Sequence, residues 1–119
     1  MNIHFPIIEL VDRLTIARLK FEKTQANSAE LEFYEQQIQE LDLEIISTQI
    51  QQLIEIHNEI WQLEYLLKIG CEDQLPLEEI GRRAIAIRNW NNKRVQLKNL
   101  MAVMLNDPVR EIKHNHLSQ

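Results

Sequence analysis

Apolar residues recur at helical spacing along most of the chain and predict three helices. The first, over about residues 6–24, carries an apolar face with the three-, four- and seven-residue spacings of a helix: Ile7, Leu10, Val11, Leu14, Ala17 and Phe21. No proline or glycine lies between Pro6 and Gly70, so the second helix is predicted to run unbroken over about residues 28–69. A third is predicted over about residues 76–106, and a short helix or turn over 108–114.

The predicted second helix is long for a chain of 119 residues. At about 1.5 Å per residue, residues 31–69 would form a rod of roughly 58 Å. A compact domain of this size has a radius of gyration of only about 14 Å. The expected fold is therefore all-α and a single domain over residues 1–119: an elongated antiparallel three-helix arrangement with a long helical hairpin.

Two apolar faces, rather than one, run along this second helix. The first would pack on the other two helices: Leu31, Tyr34, Ile38, Ile45, Leu53, Ile56, Ile60, Leu63 and Leu67. The second has the seven- and four-residue spacing of a coiled-coil seam: Leu43, Ile50, Ile54, Trp61 and Tyr65. Because the first helix is too short to cover the far half of the second, we expect this stripe to be the interface of a homodimer, in which two hairpins form a four-helix bundle. In the alternative, the final segment of the same chain covers it.

Polar residues interrupt the apolar faces of the second and third helices. Antiparallel pairing of these helices would place Asn91 opposite Glu55 or Glu59. Arg94 and Lys98 follow on the same face of the third helix. Because buried polar groups need partners, we expect a network of Glu, Asn and Arg side chains that fixes the register of the hairpin. The functional alternative is an anion or small-ligand site formed by Glu59, Asn91, Arg94 and Lys98.

Composition argues against several classes of partner. The net charge of −5 does not favour nucleic-acid binding, and the basic residues of the third helix suit the acidic second helix better than phosphates. No apolar run approaches the ~20 residues of a membrane span. The single cysteine, Cys71, forms no internal disulfide, which favours a reducing compartment. The first residues lack the pattern of a secretory signal, so we expect a bacterial-type cytoplasmic protein.

Motifs for catalysis or metal binding are missing from the sequence. The Glu-x-x-His spacing of di-metal bundles occurs at Glu111 and His114, near the end of the chain. There is no Gly-rich phosphate loop, and the neighbouring Glu72 and Asp73 would make Cys71 a poor nucleophile. We therefore expect no catalytic residue, no metal and no cofactor.

Three stretches together resemble small bacterial helical domains of unknown function. Residues 10–20 (LVDRLTIARLK) resemble an Asp-Arg/Lys-Leu-Ser/Thr-Ile-x-x-Leu-Lys signature, residues 60–64 (IWQLE) a Trp-x-Leu-Glu element, and residues 87–94 (IRNWNNKR) an Ile-x-x-x-Asn-x-x-Arg helix. Some such domains occur near sugar-transferring enzymes of cell-surface polysaccharide pathways. The resemblance implies a helical fold and candidate polar residues rather than a reaction. Those residues are Asp12, Lys20, Glu64, Asn91 and Arg94.

The function expected from the sequence is a non-enzymatic, oligomerising structural or protein-interaction module. The alternative is a binding or regulatory domain for an anionic ligand. On the resemblance, that ligand is a sugar phosphate and the domain is associated with polysaccharide biosynthesis.

Overall fold

The structure, a computed structural model, describes residues 6–68 and 75–105, and within these ranges the chain is a bundle of helices without strands. Its elements are α1 (Ile7–Thr24), α2 (Ser28–Ile38), a 3-10 turn (Glu44–Ile46), α3 (Ser47–Lys68) and α4 (Leu77–Leu105). The all-α prediction is confirmed. The predicted helix end at Gly70, the loop around Cys71 and the segment 108–114 lie outside the described residues.

The prediction of one unbroken helix over residues 28–69 is wrong, because α2 ends at Ile38 and α3 begins at Ser47. Between them the carboxylate of Asp42 accepts a hydrogen bond from the backbone N–H of Glu44, with 3.1 Å between Oδ1 and N. This bond satisfies a backbone donor that would be unpaired at the start of a new helical segment. A polar side chain, rather than a proline or glycine, therefore supports the break.

The break folds the chain back on itself. Ile8 of α1 shares a hydrophobic core with Ile46, just before α3, and Asp12, one turn farther along α1, meets His57 farther along α3. Helices α1 and α3 therefore run in the same sense, and α2 and α4 run back along them. Within residues 6–68 and 75–105, four α-helices replace the predicted three. The longest dimension is 47 Å, shorter than the roughly 58 Å expected for the second helix alone. The 29 residues of α4, about 43 Å long, account for most of it.

Helix α1 lies at the centre of the bundle and packs against α2, α3 and α4. Eight of its 18 residues are buried, including Leu10, Val11, Leu14 and Ala17 of the predicted face. The buried positions extend beyond that face and cover about 220° of the helix circumference at ~3.6 residues per turn. The central core is formed by α1, the 3-10 turn, α3 and α4: Ile8, Val11, Ile46, Leu53, Met101 and Ala102.

The break also changes which residues face inward. Ile45, assigned to the first apolar face, is 60% exposed, whereas the neighbouring Ile46 is fully buried. Leu43 and Ile50, assigned to the second stripe, pack against the core of their own chain. Both are half-buried, so this contact covers only part of each side chain, and their place in an intermolecular interface stays a prediction. The two apolar faces were assigned on the assumption of one straight helix. Because the chain reverses between α2 and α3, residues on either side of the break do not share a helix face.

Candidate functional site

An ionic cluster lies where α1, α3 and α4 meet, formed by Glu9, Asp12, His57, Arg94 and Lys98. His57 Nε2 lies 2.9 Å from Asp12 Oδ1, and both residues are only 5% exposed. The ammonium of Lys98 lies 3.3 Å from Asp12 Oδ2 and 2.9 Å from Glu9 Oε2. One carboxylate of α1 is thus bound from both neighbouring helices.

Helical spacing explains why these groups converge. Glu9 and Asp12 are three residues apart on α1, and Arg94 and Lys98 are four apart on α4, so each pair lies on one side of its helix. The antiparallel arrangement of α1 and α4 brings the two pairs together. The nearby hydroxyl of Thr15 is also buried, and it donates to the backbone carbonyl of Asp12 at 2.8 Å.

Opposing effects set the ionisation of Asp12. Burial on its own raises the pKa of this carboxyl, but the hydrogen bond from His57 and the charges of Lys98 and Arg94 outweigh burial, so the pKa lies below its ordinary value. Asp12 is therefore a carboxylate at neutral pH and can only accept hydrogen bonds. It follows that His57 Nε2 carries the proton and donates to Asp12.

The cluster is a closed arrangement. The side chains of Asp12 and His57 are 7% and 5% exposed, which leaves no room for a substrate to reach either group. Among the described residues, no three His, Cys, Asp or Glu side chains form a group that could hold a metal ion. Its evident chemical role is ion pairing between helices, and it fixes α1 against α3 and α4.

The structure brings together Asp12, Arg94 and Lys98 from the candidate residues of the sequence. The partners predicted for the bases were carboxylates of the second helix. That prediction is wrong for Lys98, whose described ion pairs are with Glu9 and Asp12 of α1. The Nε atom of Arg94 is buried and has no hydrogen-bond partner in the described part of the chain.

The other candidates lie elsewhere. Lys20 is exposed two turns beyond Asp12 on α1, and Glu64 is half-buried two turns beyond His57 on α3. Asn91 is half-buried on α4, and no hydrogen bond joins it to the ionic cluster within residues 6–68 and 75–105. Glu59 is exposed on α3.

Sequence reasoning missed Glu9 and His57 as members of the cluster. The available signals were the one-turn spacing of Glu9 from Asp12 and the position of His57 at the border of the apolar face of α3. Neither signal identifies a partner unless the direction of α1 relative to α3 is known.

A second feature is a groove between α3 and α4 with a volume of about 460 Å³. Apolar, acidic and amide side chains line it: Gln52, Glu55, Ile56, Asn58, Glu59, Trp90 and Leu97. At Trp90 the ammonium of Lys93 lies 4.5 Å from the centre of a ring of the indole. Trp90 therefore already contacts one cation from its own chain.

A third feature is the outer face of α4, directed away from the bundle. It exposes five large apolar side chains by 48% to 86%: Leu77, Ile85, Val95, Leu100 and Val103. No acidic residue occurs over residues 80–105, so this face combines apolar, amide and basic side chains. On α3, Ile54 and Trp61 of the predicted stripe are half-buried, and Tyr65 is 51% exposed.

No protein family, curated protein or solved structure matches this chain. None of the helices within the described ranges is long and apolar enough to cross a membrane. The protein is a helical bundle, and its candidate functional features are the ionic cluster, the groove and the outer face of α4.

Proposed function

We propose that this protein is a non-enzymatic interaction module that self-associates through the outer face of α4. The observation that carries the proposal is that Ile85 and Val103 are 53% and 56% exposed, although the opposite side of α4 already contributes Met101 and Ala102 to the core. A helix that is apolar on two sides has a second surface to bury. Large apolar side chains that are exposed along one side of a helix are a feature of protein–protein contacts.

The pattern of the outer face suits a second copy of the same helix. From Leu77 to Val103 it extends over about 39 Å at the rise of an α-helix. Antiparallel pairing centred between residues 92 and 93 would set Ile85 of one copy opposite Leu100 of the other. The same register would set Asn89 opposite Gln96, where amides can hydrogen-bond to each other. This self-complementarity is what a two-fold dimer requires.

Two expectations from the sequence are part of this proposal. Ile54, Trp61 and Tyr65 on α3 belong to the interface stripe predicted from the sequence. In this proposal they lie beside the dimer contact or bind another protein partner. The reducing, cytoplasmic environment stays an expectation, supported by the single cysteine.

The oligomeric state tests the proposal. Size-exclusion chromatography with light scattering at micromolar concentrations should give the mass of a dimer for the unchanged protein. The double variant Ile85→Glu/Leu100→Glu should give a monomer with unchanged helicity, because each dimer would then bury four unpaired charges. The matched control, Gln51→Glu/Gln62→Glu on the exposed side of α3, adds the same charge and should stay dimeric.

Two results would refute this assignment. If the unchanged protein has the mass of a monomer, the proposal of self-association is refuted. A dimer that survives Ile85→Glu/Leu100→Glu but dissociates with Tyr65→Glu would transfer the interface to the predicted stripe on α3.

A second candidate is the anionic-ligand site at Arg94, Asn91 and Lys98, with a sugar phosphate as the ligand. It is favoured by the buried Nε–H of Arg94, which has no partner among the described residues. It is disfavoured by Lys98, whose charge is balanced by Glu9 and Asp12. Calorimetric titration with glucose 1-phosphate tests it, since binding that is lost in Arg94→Gln would support it and the absence of heat would exclude it.

A further inference from the structure

The groove between α3 and α4 has the composition of a site for an organic cation. Ile56, Trp90 and Leu97 give it an apolar surface, and Glu55 and Glu59 add two carboxylates on α3. The two glutamates are four residues apart, so their Cβ atoms lie about 6 Å from each other on one side of the helix. Its volume of about 460 Å³ falls within the ~300–1,000 Å³ of ordinary small-molecule sites.

The carboxylates of the groove are not neutralised within the described chain. Neither Glu55 nor Glu59 has an ion pair among the described residues, although α4, which forms the other wall, carries many bases. By contrast, Glu79 of α4 pairs with both Arg82 and Arg83 at 2.9 Å. The acidic wall thus faces the groove with its charge available to a ligand.

Trp90 supplies the second element of cation recognition. The face of an indole attracts ammonium and guanidinium groups through its quadrupole. Lys93 already uses this property, with its ammonium 4.5 Å from a ring centre. This contact is within one helix and exposed to solvent at Lys93, so a ligand that also reaches Glu55 and Glu59 can compete with it.

We propose that this groove binds a small organic cation, with an ammonium or guanidinium group on a short aliphatic stem. The charged group lies between the Trp90 indole and the carboxylates of Glu55 and Glu59, and the stem contacts Ile56 and Leu97. The amide oxygens of Gln52 and Asn58 accept hydrogen bonds from the remaining N–H groups. This site is separate from the outer face of α4 and does not depend on self-association.

Agmatine is a suitable probe, because it carries a guanidinium and an ammonium on a four-carbon stem. In ¹H–¹⁵N spectra, agmatine should shift the indole N–H of Trp90 and leave that of Trp61 in place, with the assignment made from Trp90→Phe. Calorimetry then gives the affinity. Glu55→Gln/Glu59→Gln should weaken binding about tenfold, if each exposed ion pair contributes roughly 0.7 kcal/mol.

Two further variants make the test specific. Lys93→Gln removes the cation that competes for Trp90 and should strengthen agmatine binding about threefold, a change in the opposite direction from the glutamate variants. The control Glu22→Gln/Glu40→Gln removes two exposed carboxylates elsewhere and should leave the affinity within twofold.

Three outcomes would overturn the proposal. One is the absence of any Trp90 shift at about 10 mM agmatine, far above the concentrations at which specific sites fill. Another is an equal loss of affinity in the Glu22/Glu40 control, which would mean attraction to net charge alone. The last is binding of a lysine-rich helical peptide, but not of agmatine, which would make the groove a protein-docking surface instead.

Discussion

At the scale of single residues, Asp12 determines how α1 is held. Its two carboxylate oxygens accept from different helices, Oδ1 from His57 of α3 and Oδ2 from Lys98 of α4. Such a carboxylate is stabilising only while all its partners stay in place, because each buried charge needs the others. The ionic cluster should therefore respond to substitution as one unit.

Replacing Asp12 with alanine should lower the free energy of unfolding by about 3–5 kcal/mol, the usual effect of removing one partner of a buried ion pair. The loss arises because Lys98, Arg94 and His57 keep their buried charges or donors without the central acceptor. Urea denaturation measures it, with Glu22→Ala on the exposed side of α1 as the control. A loss no larger than that of the control would mean that the cluster does not hold α1.

The pH dependence of stability gives a companion test of the same residue. Because the folded-state pKa of Asp12 is depressed, its contribution is fully present above the unfolded pKa of about 3.9 and disappears as the pH falls through the folded value. The free energy of unfolding should therefore decline on acidification below about pH 4 more steeply in the unchanged protein than in Asp12→Asn. Parallel declines would contradict the assigned shift.

At the scale of elements, the starts of α1 and α4 have a signal in the sequence and the break before α3 does not. Pro6 and Pro76 directly precede Ile7 and Leu77, the first residues of α1 and α4, and proline favours the first turn of a helix. The break has no such signal, since residues 39–46 (QELDLEII) contain no proline or glycine. Packing of Ile46 into the core, a tertiary effect, outweighs local helix propensity there.

For the candidate site, the sequence predicts some of the residues but not their partners. Arg94 and Lys98 could be identified because bases inside an apolar face need partners. Their surroundings could not, because a straight second helix pairs both bases with that helix, whereas the chain reversal brings Glu9 and Asp12 of α1 to Lys98. The error in the direction of α1 relative to α3 therefore changed the partners of Lys98.

Asp42 should stabilise the break measurably. Its replacement by alanine removes the 3.1 Å bond to the N–H of Glu44 and should lower the free energy of unfolding by about 1 kcal/mol, the usual effect of losing a side-chain acceptor for a free N–H at a helix start. Asp42→Asn keeps an oxygen acceptor and should lose less than half of that. Thermal or urea unfolding distinguishes the two variants, and a gain in stability for Asp42→Ala would mean that the continuous helix is the better local structure.

At the scale of the whole molecule, the helices differ in how much of their surface is buried. Helices α1, α3 and α4 share the core, whereas α2 has no buried residue, and its main packing partner is α1. Phe33 of α2 is 49% exposed, although it makes an edge-to-face contact with Tyr34. Elements with few buried apolar contacts open at low free energy, independently of global unfolding.

Hydrogen exchange should reveal this difference directly. The backbone amides of α2 should exchange at least about a hundredfold faster than those in the middle of α1, which corresponds to an opening free energy lower by ~3 kcal/mol. The amides around Leu53 of α3 serve as the reference for global unfolding, because that side chain is fully buried. Equal protection of α2 and α1 would show that the hairpin opens as one unit.

The pairing of α1 with α4 has a consequence for how the protein is made. Ile8 and Val11 complete their core only with Met101 and Ala102, and Asp12 binds Lys98, 86 residues later in the chain. During synthesis α1 must therefore wait, with the part of its apolar surface that α2 does not cover exposed to water, until nearly all of the described chain has been synthesised. Contacts between such distant positions slow folding, and the apolar surface exposed in that interval favours aggregation.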